Sequence, residues 1–412
     1  MQQTFPASEV QRLSISDIRG DVTVRGWDQQ AIQVESSGEI ERLRPSGSTF
    51  SINDSHGAVS LSVPFEMQVT ARDIGGTVTL ENVRQADLSD IKNVVVSGIS
   101  GEVIVKDVRN GVVVHEARDI VRISDVRAGV AVDGAARVVI QDIGGGGEVR
   151  NIAGDAMLKD IHGPIVLESI HGSLQVTDSA DAVAIRNVDG NVGVNDVNST
   201  LAMQNIRGNV MIKDANGEVV LSSIEGEIVL ADINDDIQID GAPLVRARDD
   251  LNGNVVLVNV AHVELIDIGC DLLLRNTQEA TLRSVGDSLL VQEGIAKLQC
   301  RSVGNDCHVQ GGGSAMVLLD SVGNDCVLSG ISHLRLGNVG NTCQVQDSAG
   351  VDVMLNSVGN DLMVLGASRV QVSSVGNSCE LRDIQGDVTV GSCGNIMRVQ
   401  GVAGNVQTGS VG

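Results

Sequence analysis

Residues 163–180 read GPIVLESIHGSLQVTDSA and contain two successive segments of nine residues that share one pattern. In the first segment apolar residues stand two, four and seven places after the glycine, at Ile165, Leu167 and Ile170. Alternation of apolar and polar residues is typical of a β-strand with one buried face, and the third apolar residue fills the corner that follows. Because so short a strand cannot bury its inner face alone, the segments are predicted to stack on one another.

The nine-residue pattern extends well beyond this stretch. Glycine recurs in the same register at Gly154, Gly163, Gly172, Gly190, Gly208, Gly217 and Gly226. Aspartate recurs in every second segment, one place before the corner apolar residue, at Asp107, Asp125, Asp142, Asp160, Asp178, Asp196, Asp214, Asp232 and Asp250. The intervening segments carry Asn151, Ser169, Asn187, Asn205, Ser223 and Asn259 at the equivalent place. Two alternating segments therefore form one two-sided coil of about 18 residues, and the sequence predicts an all-β fold, a single right-handed parallel β-solenoid or β-helix.

From about residue 269 the corners carry a second motif, Ser-Val-Gly-Asn or a close variant of it. The motif begins at Ser302, Ser321, Asn338, Ser357 and Ser374. Longer and shorter spacings alternate between these positions, and their average equals the coil length of the preceding region. We expect Asn305 and its equivalents to adopt a left-handed backbone conformation, and their side-chain amides to hydrogen-bond along the column as in cross-β stacks.

The N-terminal region keeps strand-forming sequence without the strict register. It contains every aromatic residue of the chain, namely Phe5, Trp27, Phe50 and Phe65. A solenoid needs an atypical segment to cover its first coil. We therefore predict an N-terminal β cap at residues 1–70, a solenoid with Gly/Asp corners at residues 71–268, and a continuous solenoid with Ser-Val-Gly-Asn corners at residues 269–412.

Several stretches resemble the repeat unit of a known family. They are Ile18–Val24 (IRGDVTV), Val63-Pro64 leading into Gly75–Leu80 (GGTVTL), and Gly101–Val105 (GEVIV). Such Gly-Asp-Val-x-Val units are similar to those of a bacterial adhesin-like domain of unknown function, a β-solenoid family. The resemblance covers most of the chain and implies a β-solenoid fold with a role in binding or adhesion.

Composition and charge favour some classes of partner over others. The chain carries 53 acidic residues against 29 Lys and Arg, a formal net charge of −24, so we expect no nucleic-acid partner. No apolar run reaches the length of a membrane span, so we expect no membrane insertion. Since no signal peptide is visible, the expected location is the cytoplasm, with the cell envelope or the extracellular space as the alternative if the chain is exported.

The recurring aspartates allow two interpretations. In the first, each carboxylate accepts backbone N–H groups within its own corner, as in Asx-turns. In the second, carboxylates stacked about 4.8 Å apart, the strand spacing, form weak Ca²⁺ sites between coils. Because Asn and Ser at the other corner are poor cation ligands and fit the first interpretation, we predict no metal site.

The cysteines are interpreted as core residues. Cys300, Cys307, Cys326, Cys343, Cys379 and Cys393 fall on inward positions that Leu or Met fills in other coils. The chain has seven cysteines, an odd number, and lacks a CxxC pair, and both facts argue against disulfides and metal binding. The histidines are scattered, and Gly144–Gly147 is expected to form a mobile corner loop with no helix N-terminus to hold phosphate. We predict no catalytic residue, no cofactor and no enzymatic activity, because the corners are short and exposed aromatic residues to bind sugars are lacking.

Two hypotheses for function follow. The first is a non-catalytic, adhesin-like solenoid that acts as a rigid binding module for an unknown protein or cell-surface partner. The second is a cytoplasmic structural scaffold, a homo-oligomer that assembles through the solenoid ends. It is motivated by Ser410-Val411-Gly412, where the last coil of the sequence is expected to leave backbone groups unpaired.

Overall fold

A computed structural model describes residues 2–348 and 350–412, in which all the regular elements are β-strands. Two compact units divide the chain between Gly208 and Asn209. Both are parallel β-solenoids with the coil length that the sequence predicts, and none of the described residues forms a helix that could span a membrane.

The first unit contains 19 strands: β1 (Gln2–Pro6), β2 (Arg12–Ile18), β3 (Val22–Trp27), β4 (Ala31–Ser36), β5 (Ile40–Ser46), β6 (Thr49–Ser55), β7 (Val59–Pro64), β8 (Gln68–Glu81), β9 (Gln85–Ile99), β10 (Val103–Val108), β11 (Val112–Val126), β12 (Val130–Ile143), β13 (Gly147–Ile152), β14 (Ala156–Ile161), β15 (Ile165–Ile170), β16 (Leu174–Ser179), β17 (Val183–Val188), β18 (Val192–Val197) and β19 (Leu201–Ile206).

The N-terminal strands form an irregular cap. β1 pairs with β4, β4 with β7, and β5 with β6, and all three pairs are antiparallel. The rings of Phe5 and Phe50 meet with centroids 5.0 Å apart, and Phe50 is fully buried. Antiparallel pairing and the aromatic contact confirm the predicted cap.

From β8 onward the first unit is a regular solenoid whose strands pair in parallel from coil to coil. β13, β15, β17 and β19 form one face, and β14, β16 and β18 form another. Ile165 lies beside Val183 of the next coil, and the inward residues Ile165, Leu167 and Ile170 are at most 1% exposed. The core is thus filled by aliphatic side chains in columns.

The corners of this solenoid depend on a left-handed backbone conformation. All the recurring aspartates from Asp107 to Asp196 have φ between 53° and 59°, and so do their counterparts Asn151, Asn187 and Asn205; Ser169 has φ 60°. Aspartate, asparagine and serine can adopt this conformation at lower cost than β-branched residues, since their short polar side chains hydrogen-bond locally. The repeating polar residue therefore bends the chain between the strand and the buried corner residue.

The second unit contains the other 19 strands: β20 (Val210–Ala215), β21 (Val219–Ile224), β22 (Glu227–Ile233), β23 (Ile237–Ala247), β24 (Val255–Ile268), β25 (Leu272–Arg275), β26 (Glu279–Val285), β27 (Leu289–Gln292), β28 (Lys297–Val303), β29 (Cys307–Val322), β30 (Cys326–Val339), β31 (Cys343–Gln346), β32 (Val351–Val358), β33 (Leu362–Leu365), β34 (Ala367–Val375), β35 (Ser378–Arg382), β36 (Val388–Cys393), β37 (Ile396–Gln400) and β38 (Val406–Val411).

The Ser-Val-Gly-Asn corners are built differently. Asn305, Asn324, Asn341, Asn360 and Asn377 are absent from the residues with positive φ, so the left-handed conformation expected for them is wrong. Instead the glycine of each motif packs against the glycine one coil earlier. A Cβ built on Gly359 would lie 1.9 Å from the carbonyl oxygen of Gly340, and Gly376 meets Gly359 in the same way. The corner needs glycine because two backbones approach more closely than any side chain allows.

This close approach continues the backbone ladder through the corner. The N–H of Gly359 donates to the carbonyl of Val339 at 2.9 Å, and the N–H of Asn360 donates to the carbonyl of Asn341 at 2.9 Å. The same two bonds recur at the neighbouring coils, so each corner is hydrogen-bonded from coil to coil like a strand.

Candidate functional site

Four of the recurring aspartates of the first unit, together with Asp90, line a surface groove of about 540 Å³. Its acidic side consists of Asp90, Asp107, Asp125, Asp142 and Asp160. Arg109, Arg127 and His162 lie two residues after three of these aspartates and supply its basic groups. The groove therefore carries a column of carboxylates next to a partial column of cationic or titratable groups.

Asp142 lies beside a gap in the basic column, at Gly144. Burial raises the pKa of its carboxyl, and the charges of Asp125 and Asp160 in the adjacent coils raise that pKa further. Gly144 stands where a cationic residue follows other aspartates, and a Cβ there would lie 2.6 Å from the carbonyl oxygen of Arg127. Backbone packing thus removes the basic side chain that would offset the charge of Asp142.

This geometry bears on both interpretations of the aspartates. No group of three His, Cys, Asp or Glu residues in the described part of the chain is arranged to hold a metal ion, so the Ca²⁺ interpretation gains no support. The left-handed φ at this column, rather than a side-chain bond within the corner, is the feature that the structure shows for these residues.

Aspartates at another position of the repeat join neighbouring coils, and the sequence reasoning missed them. Asp155 Oδ1 accepts the backbone N–H of Ser173 at 2.8 Å, and Asp387 Oδ1 accepts that of Asn405 at 2.9 Å. Asp21 and Asp271 accept backbone N–H groups from the following coil in the same way. The sequence contained a signal for this role, because each of these aspartates stands directly before a strand. Asp21, Asp155 and Asp387 belong to the Gly-Asp pairs of the repeat unit.

The polar column of the second unit mixes asparagine with aspartate. Asn360 Nδ2 donates to Asn341 Oδ1 at 2.8 Å, as the predicted amide ladder requires. Asn324 and Asn377 instead donate to Asp306 and Asp361. The hydrogen bond from the Ser378 hydroxyl is the main cause that lowers the pKa of Asp361, which therefore acts as an ionised acceptor. The ladder is confirmed in part, with carboxylates in place of some amides.

A second groove runs along the Ser-Val-Gly corners. It has a volume of about 920 Å³ and extends over seven coils, from Ser302 to Gly412. Each coil contributes one polar residue, Ser or Asn, and most add an apolar residue and a glycine, for example Ser357, Val358 and Gly359. The polar and apolar residues thus repeat together at the coil spacing of about 4.8 Å.

The thiols lie where the cysteine interpretation places them. Six of the seven are buried, all seven are free, and Cys307, Cys326 and Cys343 stack in register. Burial raises the pKa of Cys300 and of Cys379 to about 12, and hydrogen bonds with the neighbouring thiols are the first cause that raises the pKa of Cys326. The thiolate is the reactive form of cysteine, and a raised pKa keeps these thiols protonated. They are therefore poor nucleophiles and pack as small apolar residues.

The histidines and the glycine run contribute no further cluster. His162 Nδ1 lies 3.7 Å from Asp160 Oδ1, and His171 Nδ1 lies 3.3 Å from the carbonyl oxygen of Ile152. Within Gly144–Gly147, the N–H of Gly144 donates to Val126 and the N–H of Gly147 donates to Pro164. The run is hydrogen-bonded to the coils on both sides, whereas the sequence suggested a mobile corner loop.

Comparisons with protein-family models, with curated proteins and with solved structures found no match for this chain. The resemblance to the bacterial adhesin-like domain is therefore supported at the level of the β-solenoid fold alone.

Proposed function

We propose that this chain is a non-catalytic, adhesin-like binding module whose binding surface is the groove along the Ser-Val-Gly corners. The observation that carries the proposal is the repetition of one set of groups over seven coils of that groove. A well-formed groove with a few polar groups is a common kind of binding site, and this one presents hydroxyl and amide groups beside bare backbone.

The repetition favours a partner that is itself extended. A ligand that follows the groove meets a hydrogen-bonding side chain and bare backbone at each step of about 4.8 Å, above valines that are buried in the core. The continuous corner ladder keeps these groups in place without a ligand, so binding loses little conformational entropy. A surface protein or a polysaccharide chain at the cell envelope would meet these requirements.

A substitution that fills the groove tests the proposal. Ser357→Trp and Ser374→Trp place large side chains in it, and Gln371→Trp, on an exposed outward position of β34, is the matched control. We expect a panel of immobilised glycans and extracellular-matrix proteins to yield at least one ligand, whose affinity falls by at least about tenfold with either serine variant and stays unchanged with the control. Equal binding by all three variants would show that the groove is only a by-product of glycine packing.

Antibody labelling of the source cells tests the adhesion role separately. Labelling of intact cells is expected if the module acts at the envelope or outside the cell. Labelling that requires permeabilisation would remove the adhesion role and favour an intracellular function.

End-to-end assembly as a structural scaffold is the second candidate. The exposed strand β5 opposes it, because Arg42, Arg44 and Pro45 disfavour pairing with another strand. Filaments whose length grows with protein concentration would support assembly, and their absence from electron micrographs of concentrated protein would exclude it.

A further inference from the structure

One outward surface of the first unit, which we call the Val/Ala face, is apolar along most of its centre. It is formed by β13, β15, β17 and β19 and by the parts of β9, β11 and β12 that pair with them. Its central column consists of Val95, Val113, Ala131, Glu148, Val166, Ala184 and Ala202. Val166 is 39% exposed, which is unusual for a residue type that mostly fills the solenoid core in this protein.

Small residues flank this column on one side. Gly111, Gly129, Gly146, Pro164, Ala182 and Thr200 accept backbone hydrogen bonds from the first strand residues of the preceding coils and so lie in one row. Because these residues project little, another flat surface can approach the apolar column closely.

Polar residues flank the column on the other side. In register order they are His115, Asp133, Arg150, Glu168, Arg186 and Gln204, and the four from Asp133 to Arg186 carry charges of alternating sign. Within one chain, Arg150 Nε lies 3.6 Å from Glu168 Oε2, and Asp133 Oδ1 accepts a hydrogen bond from Asn151. The guanidinium of Arg150 also lies 2.6 Å from Glu148 Oε1, which offsets the one charge in the central column.

The order of these flanking charges is complementary to its own reverse. Consider a two-fold axis that lies in the face, runs parallel to the strands and passes between β13 and β15. Rotation about this axis places each column opposite the same column of a second copy, with the coils in opposite order. Arg150 then faces Glu168 of the second copy, and Asp133 faces Arg186 of the second copy. All four charged residues of the flanking column meet an opposite charge under this one operation.

We propose that the Val/Ala face is the interface of an antiparallel, face-to-face homodimer. The apolar columns of the two copies pack against each other as in a β-sandwich, and the flanking charges select the register. Under this axis β9 has no counterpart in the face, so six strands at about 4.8 Å, each contributing five residues, give about 475 Å² per copy and the dimer buries about 950 Å². An area just below about 1,000 Å² corresponds to a weak dimer, and the arrangement is isologous, as in most homodimers.

The oligomeric state of the full chain and of charge-reversal variants tests the proposal. Asp133 and Arg186 are separated by two intervening residues of the column, so they do not touch within one chain and a reciprocal effect between them reports contact between copies. Sedimentation equilibrium from about 1 to about 200 µM should show a dimer for the unmodified chain. Asp133→Lys and Arg186→Glu should each weaken it by at least about tenfold, and the double variant Asp133→Lys/Arg186→Glu should restore it.

Two further variants separate this interface from other modes of association. Ala184→Lys places a charge in the apolar column, opposite Ala131 of the second copy, and should also yield monomers, while circular dichroism shows that the strands are retained. Lys159→Glu changes the net charge as Arg186→Glu does but lies on an exposed position of β14 in the other face, and it should leave the dimer unchanged. A monomer at all concentrations would overturn the proposal, and so would a dimer that tolerates Ala184→Lys or that the double variant fails to restore.

Discussion

Substitution of a stacked glycine in the second unit should open the solenoid locally. In Gly359→Ala the added Cβ would lie 1.9 Å from the carbonyl oxygen of Gly340, whereas such contacts normally exceed about 3 Å. The two coils must separate by about 1 Å at this corner, because the obstructing atom belongs to the backbone and cannot rotate away.

The separation disrupts the hydrogen bonds from Gly359 to Val339 and from Asn360 to Asn341, both 2.9 Å long. Each is worth about 1 kcal/mol, and loosening of the buried Val358 adds a similar amount, so we expect a loss of about 3 kcal/mol in local opening free energy. Gly312→Ala is the matched control, since its Cβ would meet nothing within 4 Å and its φ is not positive.

Hydrogen exchange read by mass spectrometry measures this effect where it arises. Peptides that cover residues 335–380 should exchange about 100-fold faster in Gly359→Ala, and peptides near the first coils of the second unit should be unchanged. Gly312→Ala should exchange like the unmodified chain throughout. Equal protection of the two variants at residues 335–380 would refute the argument that backbone contact fixes the corner sequence.

Three further predictions concern polar and reactive side chains. The raised pKa of Asp142 means that ionisation of its carboxyl destabilises the fold. This destabilisation is absent below the unfolded pKa of about 3.9 and grows as the pH rises through the folded pKa. The variant Asp142→Asn should therefore melt at a higher temperature than the unmodified chain at pH 7 and at the same temperature near pH 3. Thr277 is fully buried at a corner and its hydroxyl has no hydrogen-bond partner, so Thr277→Val should stabilise the protein by about 1 kcal/mol in urea denaturation, and a loss of stability would contradict this. Cys270 is the one half-buried cysteine of the seven, so a thiol reagent should modify it first in the folded protein and reach the other six only after unfolding.

The repeat and the core could be predicted from the sequence because they depend on local alternation. Residues such as Ile165 and Leu167 alternate with polar residues, and the stacking of strands one coil apart follows directly from the recurrence of that pattern. The burial of Cys326 followed from the exchange of cysteine with leucine at equivalent positions, as in the pairing of Cys343 with Leu362.

The positions of the left-handed residues could not be assigned with the same success. The sequence predicts this conformation for Asn305, which does not adopt it, whereas Asp160 and Ser169, in corners of the first unit, do adopt it. Asparagine tolerates positive φ wherever it occurs, so its presence marks a permitted conformation and not a required one. The path of the corner decides which residue must adopt it.

The sequence by itself determined the all-β class, the coil length and which side chains face inward, because these properties depend on the order of apolar residues along the chain. Only the tertiary structure showed that Asp155 binds the next coil, that Gly359 must be glycine, and that alternating charges share one side of the Val/Ala face. Those features depend on distances between residues one coil apart, and such distances exist only after the coils have stacked.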